Sequence, residues 1–96
     1  MKQLGSKVGG DGMRIVMRRI DMVAKFVGTE APKPVKFRLP EEGITVVVDK
    51  VLEQQEEKLA GNRMLLYRCS SVVRGAEKIY ELKYELATAR WFLFKM

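Results

Sequence analysis

The chain has 96 residues, of which 47% are hydrophobic and 31% are charged, an ordinary composition for a soluble globular domain. Its 18 basic and 12 acidic side chains give a formal net charge of +6, and it contains no histidine. The missing histidine excludes serine–histidine and cysteine–histidine nucleophiles, histidine general bases and the common zinc sites. The single Cys69 excludes an internal disulfide or CxxC pair, and we expect the cytoplasm, a reducing compartment, as the location.

The first twelve residues are rich in glycine and contain only isolated apolar side chains. Such a segment cannot bury a packed face, and we expect residues 1–12 to be a flexible leader. Gly9-Gly10-Asp11 can also be encoded by the codons of a bacterial ribosome-binding consensus, at a suitable distance before the Met13 codon. We therefore hypothesise that the physiological chain starts at Met13, with residues 13–96 as a single β-barrel-like domain.

Alternation of apolar and polar side chains predicts three strands in the first half of the chain. The first covers roughly residues 14–28 and ends in a glycine- and proline-containing break that reaches Pro34. The second is short, from Val35 to Leu39, and is closed by Pro40. After a tight turn, the β-branched run from Ile44 to Val48 predicts a third strand that is buried on much of both faces.

Residues 49–61 allow two interpretations. Helix formers run from Glu53 to Ala60, and Gly61 suits the position just after a helix, so a short helix near residues 50–60 is one of them. The other is a long twisted hairpin that turns at Ala60-Gly61-Asn62. We favour the hairpin, because the neighbouring segments are β on both sides and a helical stripe would hold few truly apolar side chains.

The remaining sequence predicts three more strands. The strand from Arg63 to Val73 turns at Arg74-Gly75-Ala76 into a final hairpin, Lys78 to Met96. In the first arm of that hairpin, tyrosines and leucines alternate with charged residues, which predicts one wet face. In the second arm, Trp91 to Phe94 is apolar on both faces and must be enclosed or meet a partner. Because all connections are short, we predict a mainly β fold, a six-stranded antiparallel meander that forms a small closed or partly open barrel.

Candidate catalytic groups are few. Cys69 lies on an alternating strand, where we expect a small buried hydrophobe and not a nucleophile. The carboxylate pairs Glu41-Glu42 and Glu56-Glu57 lie in turn-like, charged surroundings, whereas acid–base catalysis needs carboxyls whose environments separate their pKa values. We expect a protein that is not an enzyme and that has no cofactor or metal site.

The basic side chains offer the first candidate binding surface. Arg19, Lys25, Lys36 and Arg38 fall on the outward phase of the first two strands, and Lys33 lies in the loop between them. If those strands pair, the charges gather on one face, as contact with a nucleic-acid backbone requires. The alternative is a solvated basic surface without a partner.

The apolar C-terminal strand offers the second candidate surface. Trp91 and Leu93, together with Met64 and Leu66, are the residues that we expect in a homodimer seam or in contact with another protein. A stacking platform for bases is an alternative role for Trp91, and closure of a barrel end is another.

Four runs carry a resemblance: Glu57 to Met64, Tyr67 to Cys69, Glu77 to Glu85 and Trp91 to Lys95. In these runs the chain resembles a group of small uncharacterised bacterial proteins, over most of residues 13–96. The resemblance implies a compact all-β domain, and it brings no activity, ligand or site residue with it.

Together, these features predict a small non-catalytic binding module. We prefer association with nucleic-acid backbones, irrespective of base sequence, through the basic side chains. The alternative is a protein–protein interaction module or homodimer that uses the apolar C-terminal strand. No apolar run approaches the roughly 18 residues that span a bilayer, so we expect no membrane partner.

Overall fold

The structure, a computed structural model, describes residues 12–96. The predicted leader therefore lies outside the described residues, except for Gly12. The described chain forms eight strands: β1 (Ile15–Ile20), β2 (Met22–Lys25), β3 (Lys33–Arg38), β4 (Thr45–Val47), β5 (Lys50–Leu59), β6 (Asn62–Val73), β7 (Ala76–Glu85) and β8 (Arg90–Lys95). None of the residues from Gly12 onwards is helical.

The strands form two antiparallel sheets. The large sheet has the order β1-β8-β7-β6-β5, and the small sheet has the order β2-β3-β4. The mainly β fold predicted from the sequence is thus confirmed. The predicted number of strands is wrong, because there are eight and not six, and no closed barrel is found in the described part of the chain.

Of the two additional strands, one arises where the chain passes from the large sheet to the small one, and the other is β5, in the segment for which the sequence allowed a helix or a hairpin. Only Asp21 separates β1 from β2, and only two residues, Val48 and Asp49, separate β4 from β5. At the first crossing the Arg38 amide donates a hydrogen bond to the Asp21 carbonyl over 3.4 Å, and at the second the Asp49 amide donates to the Ser70 carbonyl over 3.1 Å. The single strand predicted for residues 14–28 is therefore split at a corner into β1 and β2, as in other packed sheets whose strands bend between layers.

The segment with two interpretations is a hairpin, and the helical alternative is wrong. Strands β5 and β6 pair from Lys50 to the turn, where Leu59 lies opposite Asn62. The two turn residues, Ala60 and Gly61, have φ angles of 51° and 85°. Positive φ at both positions is the mark of a type I′ turn, whose twist matches that of the flanking strands.

The two sheets share one hydrophobic cluster, which lies between their inner faces. Four side chains at its centre, Tyr67, Cys69, Tyr80 and Leu82, are at most 1% exposed. Burial of the tyrosine hydroxyls is compensated by hydrogen bonds, because Tyr67 donates to the Pro32 carbonyl and the Tyr80 hydroxyl lies 2.6 Å from the Ser71 hydroxyl. The burial expected for Cys69, and for Tyr80 and Leu82 opposite the wet face of the final hairpin, is confirmed.

The outer face of the large sheet carries paired charges. Lys83 Nζ lies 2.7 Å from Glu57 Oε1, and Arg68 Nη1 lies 3.3 Å from Glu81 Oε2. The Lys83 ammonium also lies 3.9 Å from the centre of the Phe94 ring, in a cation–π contact. The wet face predicted for β7 is therefore only partly wet, since Lys83 and Glu81 are buried among these neighbours.

Candidate nucleic-acid interface

The side chains that are buried on the inner face of the small sheet show which side chains point outwards. Phe37 in β3 and Val46 in β4 point into the shared core and are each 2% exposed. Since successive side chains of a strand point to opposite faces, Lys36 and Arg38 point outwards beside Phe37. Residues Lys25 and Lys33 are likewise exposed. We call the outward cations of the small sheet, Lys25, Lys33, Lys36 and Arg38, the basic face.

The strand register sets the spacing of the basic face. Lys25 lies directly opposite Lys33 across the β2–β3 ladder. Directly opposed residues have Cβ atoms about 5 Å apart, and like charges in such a pair repel each other. Further along β3, Lys36 lies between Val23 on β2 and Val47 on β4, both of which are exposed. The four cations thus share one continuous surface.

No ion pair within residues 12–96 includes a side chain of the basic face. The ion pairs of this part of the chain join Arg18 to Glu41, Arg63 to Glu56, Arg68 to Glu81 and Lys83 to Glu57. None of them includes a member of the basic face. Lys25 and Lys33 therefore lie opposite each other without an ion pair to an acidic side chain of the described residues, and an external anion would reduce their repulsion.

Arg19 is the one predicted basic residue that the structure places elsewhere. It belongs to β1 in the large sheet and lies opposite Phe92. Its neighbour Ile20 is buried in the shared core, so Arg19 points to the outer face of the large sheet, away from the small one. The change of sheet at Asp21, which the sequence pattern does not reveal, separates Arg19 from the basic face.

The residues expected in an apolar seam do not form one surface. Trp91 and Leu93 are 6% and 2% exposed and lie in the shared core, where the Trp91 ring is 4.8 Å from that of Tyr84. Met64 and Leu66 lie on the opposite, outer face of the large sheet, and Met64 is 8% exposed. Burial of Trp91 and Leu93 leaves neither side chain free to form a dimer seam, nor Trp91 free to stack on a base.

The sequence pattern does not reveal that Phe26, the residue after Lys25, is exposed. Phe26 continues the inward alternation of Ile20, Met22 and Ala24, and the pattern therefore places it in the core. However, β2 ends at Lys25, and Phe26 is 61% exposed. Its position directly before Val27 and the Gly28 turn is the only signal in the sequence that the strand has ended.

A cleft of about 930 Å³ opens between the sheets near the start of β1 and the end of β8. Its floor is apolar and includes Leu39 and Leu93. Its charged lining comprises four cations, Arg14, Arg18, Arg74 and Lys78, and three carboxylates, Glu41, Glu42 and Glu77. Because the signs are mixed and Arg18 is already paired with Glu41, the charges do not converge on a ligand of either sign.

Two observations concern the candidate catalytic and metal-binding groups. The Cys69 thiol is fully buried, and burial raises its pKa from 9.0 to about 12, which keeps it protonated and unreactive at neutral pH. Among residues 12–96 there is no cluster of three or more acidic or cysteine side chains that could hold a metal ion. That the protein is not an enzyme stays a prediction.

Residues 12–96 contain no helix that is long and apolar enough to cross a membrane. Comparison of the chain with protein-family models, curated proteins and solved structures finds no match. The resemblance to small uncharacterised bacterial proteins therefore stays a prediction.

Proposed function

We propose that the protein is a non-catalytic module that binds the backbone of nucleic acids, irrespective of base sequence, through the basic face. The observation that carries this proposal is the absence of any ion pair at Lys25, Lys33, Lys36 and Arg38 within the described residues, although all four lie on one sheet surface. Such a surface gains free energy when a polyanion arrives, because each phosphate contact releases condensed counterions.

The side chains between the cations explain why binding would not depend on base sequence. Val23, Val47 and Thr45 occupy the neighbouring outward positions of β2 and β4. Proteins recognise base edges with hydrogen-bonding side chains, such as asparagine, glutamine or arginine, positioned opposite a particular base. The two valines have no hydrogen-bonding group in their side chains. The expected affinity is that of non-specific binding, with dissociation constants of about 1–100 µM at physiological salt.

The salt dependence of binding tests the proposal. Four phosphate contacts on duplex DNA predict a slope of about −4 in log K against log salt, so affinity should fall roughly 100-fold between about 50 and 200 mM salt. The measurement is fluorescence anisotropy of a labelled oligonucleotide titrated with protein. Absence of binding even at low ionic strength would eliminate the proposal.

Matched double variants separate the basic face from overall charge. The variant Lys25→Gln/Lys33→Gln should lose about two units of that slope, because it removes two of the four contacts. The control Lys50→Gln/Lys58→Gln has the same net charge but changes exposed residues of β5, in the large sheet. Equal loss of affinity in the two variants would show that only net charge matters, and the basic face would not be the binding site.

A further inference from the structure

The exposed Phe26 lies at the same end of the small sheet as two members of the basic face, and its ring is directed towards Tyr84 on the core side. It follows Lys25, the last residue of β2, and Lys25 is paired with Lys33 at the start of β3. Phe26 is 61% exposed and the next residue, Val27, is 42% exposed. An exposed aromatic ring next to unpaired cations is the combination that binds single-stranded nucleic acids, because bases stack on the ring while the cations contact phosphates.

The ring of Phe26 is supported from below by a row of buried aromatic side chains. It meets Tyr84 edge-to-face, with 6.3 Å between ring centres and an angle of 66°. The Tyr84 ring lies 4.8 Å from Trp91, which in turn lies 5.3 Å from Tyr67. Since Tyr84, Trp91 and Tyr67 are all buried, this row restrains the ring of Phe26 on one side and leaves the rest of it to solvent.

We propose that Phe26 is a stacking platform for an unpaired base, and that the ligand of the basic face is therefore single-stranded nucleic acid. This inference rests on the proposed function. In a duplex, each base already stacks on its neighbours, and Phe26 could gain nothing from it. In a single strand, an unstacked base can cover the exposed ring while the adjoining phosphates lie near Lys25 and Lys33.

The test compares single-stranded and duplex probes with variants of Phe26. One probe is a labelled oligothymidine of about 15 nucleotides, within the range of site sizes of small single-strand-binding folds, and the other is a hairpin duplex. Phe26→Leu should weaken binding of the single strand about 5- to 150-fold, and binding of the duplex and the salt slope should not change. Phe26→Trp retains a ring and should retain affinity, with quenching of the new indole fluorescence by the bound bases.

Two controls separate the inference from loss of structure and from the proposed function. Val27→Ala removes exposed apolar area next to the ring and should leave both affinities within about twofold, since valine offers no stacking face. If Lys25→Gln/Lys33→Gln weakens both probes but Phe26→Leu and Phe26→Trp change neither, the stacking role is overturned and the proposed function stands. If neither probe binds the unchanged protein, both are overturned. Equal losses for the two probes in Phe26→Leu would also overturn the stacking role.

Discussion

Replacing Cys69 by alanine should make the protein less stable near neutral pH and more stable than the unchanged protein in strong alkali. The thiol is fully buried, and burial raises its pKa from 9.0 to about 12. In the unfolded chain the thiol loses its proton as the pH passes about 9, whereas in the folded chain it keeps the proton until about pH 12. Between these values the unfolded state binds fewer protons, so the free energy of unfolding falls as the pH rises.

The size of this fall follows from the pKa differences. Each pH unit between the unfolded and folded values costs 1.36 kcal/mol per group, so Cys69 removes about 3 kcal/mol by about pH 11. Tyr67, whose pKa burial raises from 10.0 to about 12, removes about 1 kcal/mol by the same pH. Burial also raises the pKa of Tyr80, which adds a loss of the same sign. The total approaches the 5–15 kcal/mol that roughly spans the stability of small domains.

Urea denaturation followed by Trp91 fluorescence, at intervals from about pH 8 to pH 11, measures these free energies. Cys69→Ala should lose about 1–2 kcal/mol near pH 8 through lost packing, and should escape the alkaline loss of about 3 kcal/mol. The two stability curves should therefore cross near pH 10. Val46→Ala is the control, because Val46 is 2% exposed and does not titrate, so its curve should stay below that of the unchanged protein throughout. Parallel curves for Cys69→Ala and the unchanged protein would show that the Cys69 thiol does not make stability depend on pH in this range.

Three further predictions concern the surface of the fold. Ala60→Asn should raise the free energy of unfolding by about 1 kcal/mol, seen as a higher melting temperature, because asparagine tolerates the φ of 51° better than alanine. Thr88 donates a hydrogen bond that lowers the pKa of Glu85, so stability linked to Glu85 is present above its ordinary pKa of 4.5 and is lost as the pH falls. Thr88→Val should shift the NMR titration of that carboxyl to higher pH, and an unchanged titration would contradict this. Glu57→Gln should lower the free energy of unfolding, measured by urea denaturation, by about 2 kcal/mol, because the buried Lys83 ammonium loses its carboxylate partner. Adding Lys83→Met should recover most of the loss, because no unpaired charge then remains buried.

The alternation of apolar and polar side chains predicted well which side chains of a strand point inwards. It predicted poorly how the strands are divided between the two sheets. It placed Cys69, Tyr80 and Leu82 inwards, and all three are buried. It did not reveal the corner at Asp21, because Ile20 before the corner and Met22 after it keep the same inward phase while they belong to different sheets. A strand that bends from one layer to the next continues to alternate, since both layers bury the same side of it. The bend is set by packing of the sheets, which local sequence does not report.

Local sequence also does not show what covers the two apolar faces of β8, and for this reason it suggested an apolar seam at Trp91 and Leu93. An apolar strand predicts that both faces are covered, but not what covers them. One face, with Trp91 and Leu93, is covered by the small sheet, as part of the shared core. On the other face, Phe94 is covered by the neighbouring strand of its own sheet, because the Lys83 side chain lies over its ring. A lysine can do this because its long apolar stem packs against a surface while its ammonium finds a carboxylate, here that of Glu57.

This arrangement also distinguishes the outer faces of the two sheets. On the large sheet, Lys83 and Arg68 lie against Glu57 and Glu81, and their charges are compensated locally. The basic face of the small sheet has no such compensation within residues 12–96. Net charge alone, at +6, therefore predicts a class of partner and not a surface. The surface depends on strand register, which sets Arg68 opposite Glu81 on the large sheet and Lys25 opposite Lys33 on the small one.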